Sequence, residues 1–108
     1  MPNYQVYYQK DPYTHARFDG TTEEKVLDIV SQYVPVMRLW EENLDDVYFF
    51  MQGENWSPNG EARQAIQDLG LSHTSMMIGD VIEDLDTGEF FMVNIFGFSL
   101  LTVPENVV

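Results

Sequence analysis

The run Phe90-Phe91-Met92-Val93-Asn94-Ile95-Phe96 is the segment that most narrows what this chain can become. Its apolar side chains do not alternate with polar ones, so as a strand it shows hydrophobic surface on both faces. A strand of that kind belongs inside a sheet, with helices on one side and another cover on the other. Before it, Ile78 to Ile82 reads as an extended piece, and Glu83-Asp84-Leu85-Asp86-Thr87-Gly88-Glu89 supplies the reversal, with Asp-Thr-Gly suited to a type I turn and Gly88 at positive φ. The two form a hairpin. Gly97 is expected to mark a bulge or bend before Phe98 to Val103.

Upstream, Tyr4, Val6 and Tyr8 alternate with Gln5, Tyr7 and Gln9, the period of a half-buried strand. A polar connection punctuated by Asp11-Pro12 and Asp19-Gly20 follows, with His15 and Arg17 facing water. Thr21 and Glu24 fit a capping box, and Val26, Leu27, Val30, Tyr33 and Val34 recur at helical spacing until Pro35. Val36 to Trp40 is too short for periodicity to separate strand from helix; we take it as a strand. Asn43, with Asp46 three residues later, caps a short helix whose inward stripe is Leu44, Val47, Phe50 and Met51, closed by Gly53. Ser57-Pro58 reads as the start of a third helix, with Ala62, Ile66 and Leu69 inward and Gly70 as its stop. The sum is one α+β domain over residues 1–108, mostly antiparallel sheet with about three short helices packed on it. With 108 residues, 44% of them apolar, such a domain buries roughly two-thirds of its unfolded-chain surface.

Charge excludes more than it assigns. There are 18 acidic and 5 basic residues, a formal charge of −13, and no Lys or Arg follows Arg63. Direct binding of DNA or RNA would begin from repulsion, so charged partners should be basic proteins. The aromatic N-terminal segment, Tyr4 to Phe18, lacks the basic groove that base stacking needs. The absence of cysteine removes disulfides, thiolate zinc sites and a cysteine nucleophile. No segment reads as a signal peptide or membrane span, which points to a cytoplasmic protein.

The remaining constellations are sparse. Asp84, Asp86 and Gly88 fail the spacing of a calcium loop, and a solvated hairpin tip accounts for them better. His15 and His73 have no second ligand at metal-binding spacing, so neither metal nor cofactor is expected. Ser72-His73-Thr74-Ser75 places hydroxyls beside an imidazole, but sequence neighbours in a turn generally point apart. Trp56 is either a core residue with its N–H at a loop or an exposed interface anchor, beside Asp84, Asp86 and Glu89 as further interface candidates.

The segment His73-Thr74-Ser75-Met76-Met77-Ile78-Gly79-Asp80-Val81-Ile82, followed by the hairpin and then Asn94-Ile95-Phe96-Gly97-Phe98, resembles the YodL-like family. Its members show a Ser–apolar–Ser–Val–Gly/Ser–Asp–Val–Ile run and then an aromatic strand ending near Gly-Phe. Met77 stands where the second Ser is usual, and Ile78 where Val is. The resemblance covers about the last third of the chain. Met51 to Arg63 is also similar to small uncharacterised proteins of tailed phages, cyanophages especially. The resemblance implies a phage or mobile-element context without implying an activity.

In that motif Ser75 can cap or turn the chain, Gly79 can hold a conformation other residues resist, and Asp80 can bond the turn before Val81. The same three residues with His73 are the candidate ligand site. The function expected is a non-enzymatic protein-interaction module acting on a host protein in the cytoplasm. Two other readings stay open: a DNA mimic whose carboxylates occupy the phosphate groove of a host protein, and a small enzyme using Asp80 with His73 and a hydroxyl. Self-association as a homodimer through the Phe90 to Val103 region is open as well.

Overall fold

The computed structural model describes residues 2–10, 33–95 and 97–101. Alternation in the N-terminal segment produces β1, Asn3–Gln9, whose Tyr4, Val6 and Tyr8 are buried on one face. It pairs antiparallel with β2, Tyr33–Trp40, and on its other side with β3, Val81–Asp84. The strand β4, Phe90–Asn94, follows β3 by the expected hairpin, and β5, Gly97–Leu101, completes a five-stranded antiparallel sheet in the order β2-β1-β3-β4-β5. The doubly apolar strand β4 is thus interior, as its composition requires. Gly88 has φ of 81°, and its N–H closes the turn onto the Asp84 carbonyl at 2.7 Å.

Among the described residues three short helices lie on one face: α1, Leu44–Phe50; α2, Gly53–Trp56; and α3, Arg63–Asp68. Asn43 caps α1 as expected, its side-chain oxygen accepting from the Asp46 N–H at 2.9 Å. Below the helices, Tyr4, Val6, Tyr8, Ile82 and Val93 from the sheet meet Val47, Met51 and Ile66 in the main core. The opposite face of the sheet carries a second cluster of Tyr33, Val81, Met92 and Leu101. The fold is therefore α+β. No helix among the described residues is long and apolar enough to cross a membrane.

Some expectations are corrected. Tyr33 and Val34 belong to β2, and Pro35 lies inside that strand instead of stopping a helix. Among the described strands β2 is an edge, where a residue without an N–H is tolerated, and the pairing with β1 shifts register beside it. The rest of the expected helix, from Thr21 to residue 32, and the connection carrying His15 and Arg17 lie outside the described residues. Gly53 opens α2 instead of ending α1. Ser57-Pro58 does not begin α3; the helix starts at Arg63, and the Ser57 hydroxyl accepts from the Ala62 N–H at 2.8 Å, five residues along. Leu69 is exposed, and β4 ends at Asn94, the chain reversing between Asn94 and Gly97.

The end of α3 is as expected, and its geometry explains why. Gly70 has φ of 76°, its N–H donates to the Gln67 carbonyl, and the Leu71 N–H reaches back to the Ile66 carbonyl at 3.0 Å. This double closure brings Leu71 into the same core as Ile66, the hydrophobic partnership that accompanies such ends. Nothing lies within 4 Å of where a Gly70 Cβ would stand. Gly70→Ala should therefore cost only the left-handed backbone penalty, about 1–2 kcal/mol, measurable by urea denaturation with an unchanged m-value.

Candidate functional site

The segment from Leu71 to Asp80 has no regular secondary structure, so each of its backbone groups needs a partner from elsewhere. Asp80 is the centre of that accounting. Its side chain is fully buried, and its carboxylate accepts from the Gln9 N–H at 3.0 Å through Oδ1 and from the Met77 N–H at 2.8 Å through Oδ2. His73 Nε2 lies 3.0 Å from Oδ2 and 3.3 Å from Oδ1. Nε2 is placed to donate to this carboxylate, which when ionised only accepts. The His73 ring stacks on Tyr8, with centroids 4.5 Å apart and planes 17° from parallel.

Other groups tie down the rest of the segment. The Thr74 carbonyl accepts from the Tyr8 hydroxyl at 2.6 Å and from the Trp56 indole N–H at 3.1 Å. Ser75 Oγ accepts from the Gly53 N–H at 2.7 Å, at the first residue of α2. The Met76 N–H donates to the Met51 carbonyl, while its own carbonyl accepts from the Gln52 side chain. Ile78 and Gly79 carbonyls accept from the Gln9 amide and the Tyr33 hydroxyl, both at 2.8 Å. Gly79 has φ of 97°, and a Cβ there would stand 2.7 Å from the Gln9 side-chain oxygen. Glycine is required twice over at this position, by backbone conformation and by the amide packed against it.

The motif residues thus do not all converge. His73 and Asp80 meet, Gly79 adjoins them through Gln9, and Ser75 turns away to α2. Among the described residues no hydroxyl joins the pair: His73 Nδ1 is buried and has no hydrogen-bond partner there. The sequence does not foreshadow Gln9, which alternation assigns to the more polar face of β1 but which is fully buried. One glutamine at a strand end carries no periodic signal.

The interface candidates separate too. Trp56 is half-buried against the main core. Asp84, Asp86 and Glu89 share the β3–β4 hairpin tip, where Asp84 Oδ1 accepts from the Asp86 and Thr87 N–H groups and Asp86 Oδ2 accepts from the Asn3 N–H. The large apolar side chains that do face solvent are others: Ile95 at 75%, Phe49 at 68% and Trp40 at 59% exposure. A cleft of about 330 Å³ opens between the start of α1 and the β4–β5 reversal, walled by Asp45, Tyr48, Ile78, Ile95 and Phe98 among others. Among the described residues no three His, Asp or Glu side chains gather closely enough to hold a metal ion. No family model, curated protein or solved structure matches the chain.

Burial raises the ionisation of Tyr8 far above its ordinary range, and the Asp80 charge adds to it. Tyr7 is raised likewise, by burial and by its hydroxyl bond to Glu83 at 2.7 Å. The folded state therefore holds both phenols neutral where the unfolded chain, with phenols near pH 10, ionises them. Stability from this source is complete below about pH 10 and falls as pH climbs beyond it. Urea midpoints should be flat from pH 8 to 9 and drop steeply above 10, with tyrosinate absorbance appearing together with unfolding.

Removing the carboxylate leaves the buried Gln9 N–H and the partly buried Met77 N–H without that acceptor, and a buried donor so stranded costs about 1–3 kcal/mol. Asp80→Ala is expected to destabilise the protein by about 2 kcal/mol or more, and Gly79→Ala more than Gly70→Ala because crowding adds to the backbone penalty. Thermal melts of the three variants check the order.

Proposed function

We propose that this chain is a non-enzymatic protein-interaction module, made by a phage or mobile element and acting on a basic protein of its host's cytoplasm. The observation that carries the reading is how the Asp80 and Ser75 side chains are used. A buried Asp–His pair is the orienting half of a nucleophilic relay, and such a relay needs a hydroxyl on the far nitrogen of the imidazole. Here that nitrogen has no partner among the described residues, Ser75 is bonded to the start of α2, and the carboxylate accepts from two backbone amides. The constellation best suited to chemistry is spent on holding the chain together.

Surface character supports binding instead. Ile95 is exposed on a cleft whose rim includes Asp45, Phe49 is exposed on α1, and among the described residues no Lys or Arg lines the cleft. Phe49 follows Asp45 by one helical turn, so the two share a face of α1. Apolar anchors beside a carboxylate suit a partner that brings aliphatic and cationic side chains together. The acids of the described residues are spread over α1, α2, α3 and the hairpin tip, which favours this over mimicry of an evenly spaced phosphate backbone.

The test is affinity capture from host lysate with three forms of the protein. Wild type should retain one basic protein in stoichiometric amount, Phe49→Ser with Ile95→Ser should lose it, and a folded His73→Gln should keep it. Recovery of chaperones alone, or a substrate turnover abolished by His73→Gln without loss of fold, would count against the proposal.

A further inference from the structure

The two outer strands of the described sheet are built differently. β2 has Pro35, a register shift beside it and the exposed Arg38, three features that discourage another strand from pairing. β5, Gly-Phe-Ser-Leu-Leu, has none of them. It lies within residues 90–104, the longest stretch of the sequence without a charged side chain.

Hydrogen-bond parity identifies which groups of β5 have no partner among the described strands. The Val93 N–H donates to the Asp80 carbonyl, and the Val93 carbonyl accepts from the Gly79 N–H, so Val93 faces away from β5. Alternation then turns Met92 and Phe90 toward β5, where they oppose Ser99 and Leu101. Phe98 and Leu100 are left with N–H and C=O groups pointing out of the sheet. The Leu100 side chain is 46% exposed.

We infer that β5 is a self-pairing edge, and that a second copy of this chain docks on it antiparallel about a two-fold axis at Ser99. Phe98 then opposes the second copy's Leu100, and the same pair recurs across the axis, giving four backbone hydrogen bonds from the outward groups. Both side chains lie on the helical face, because their partners Val93 and Phe91 fall in line with Ile82 and Val6 of the main core. Phe98 covers the exposed Leu100 of its mate. A second copy is the favoured occupant because the pattern complements itself and because two strongly anionic chains meet most easily where neither carries charge. The interface is small, so association is weak and concentration-dependent. Its salt response is distinctive: screening the like charges strengthens it, whereas pairing with a basic partner would weaken.

Sedimentation equilibrium of the full chain at rising protein and salt concentrations, with amide exchange by NMR, tests the inference. The apparent mass should double with concentration, sooner at high salt. The Phe98 and Leu100 amides should gain protection in step, while Ser99 and Leu101 stay protected throughout. Leu100→Pro removes an outward N–H without touching the β4 ladder, and Leu100→Lys places charge on the edge; both should keep the protein monomeric with its fold intact. A dimer indifferent to both variants, or a monomer at every concentration and salt level, overturns the inference; the monomer would leave this edge to a strand of another protein.

Discussion

A carboxylate taken wholly out of water is costly unless donors replace its hydration, and the placement of those donors dictates what it holds together. Asp80 receives an N–H from the end of β1, an N–H from Met77 in its own turn, and the imidazole of His73. These come from β1 and from the segment that carries Asp80 itself. Losing the carboxylate would strand two backbone donors at once, so the approach to β3 is fixed in one geometry. Around it Tyr8 stacks on the imidazole and bonds the Thr74 carbonyl, which draws β1 and the Leu71–Asp80 segment together. An irregular segment can lie beneath helices only if its polar groups are met individually, and here side chains of β1, β2 and α2 meet them.

That economy also bears on function. An aspartate, a histidine and a serine within eight residues are the parts of a catalytic relay, and residue type alone cannot separate a relay from a clamp. Geometry separates them. In a relay the imidazole nitrogen away from the carboxylate faces the nucleophile; here it is buried without a partner among the described residues, and the serine is committed to the first N–H of α2. Exposed among the described residues are large apolar side chains, Phe49, Ile95 and Trp40, together with many carboxylates, and the proposed binding role rests on them.

Much of this architecture was legible from spacing. Alternation gave β1, the Asp-Thr-Gly turn gave the β3–β4 hairpin, Asn43 marked the start of α1, and Gly70 marked the end of α3, because each depends on local backbone chemistry. Pro35 and Pro58 misled for a shared reason. Proline signals that an N–H is missing, and a missing N–H is tolerated at an outer strand and in a turn as well as at a helix boundary. The site was half legible: Ser75, Gly79 and Asp80 could be assigned to turn and cap chemistry, and two of them contact one another's partners. Gln9 could not be found, since its burial depends on Gly79 lacking a side chain seventy residues away, a relation no periodicity records.

The charge-free run that identified β4 also sets a problem one strand later. Apolar residues on both faces suit β4 because it has neighbours on either side, and the same composition continues through β5, which has a described neighbour on one side only. Sequence pattern measures how much apolar surface a strand carries, not whether the sheet extends beyond it. At β2 the chain answers its edge position with proline, a register shift and arginine. At β5 it does not, although acidic side chains are plentiful elsewhere in the sequence. With so much charge to place, the protein puts none of it on these fifteen residues, and the inferred pairing of β5 with another strand rests on that contrast.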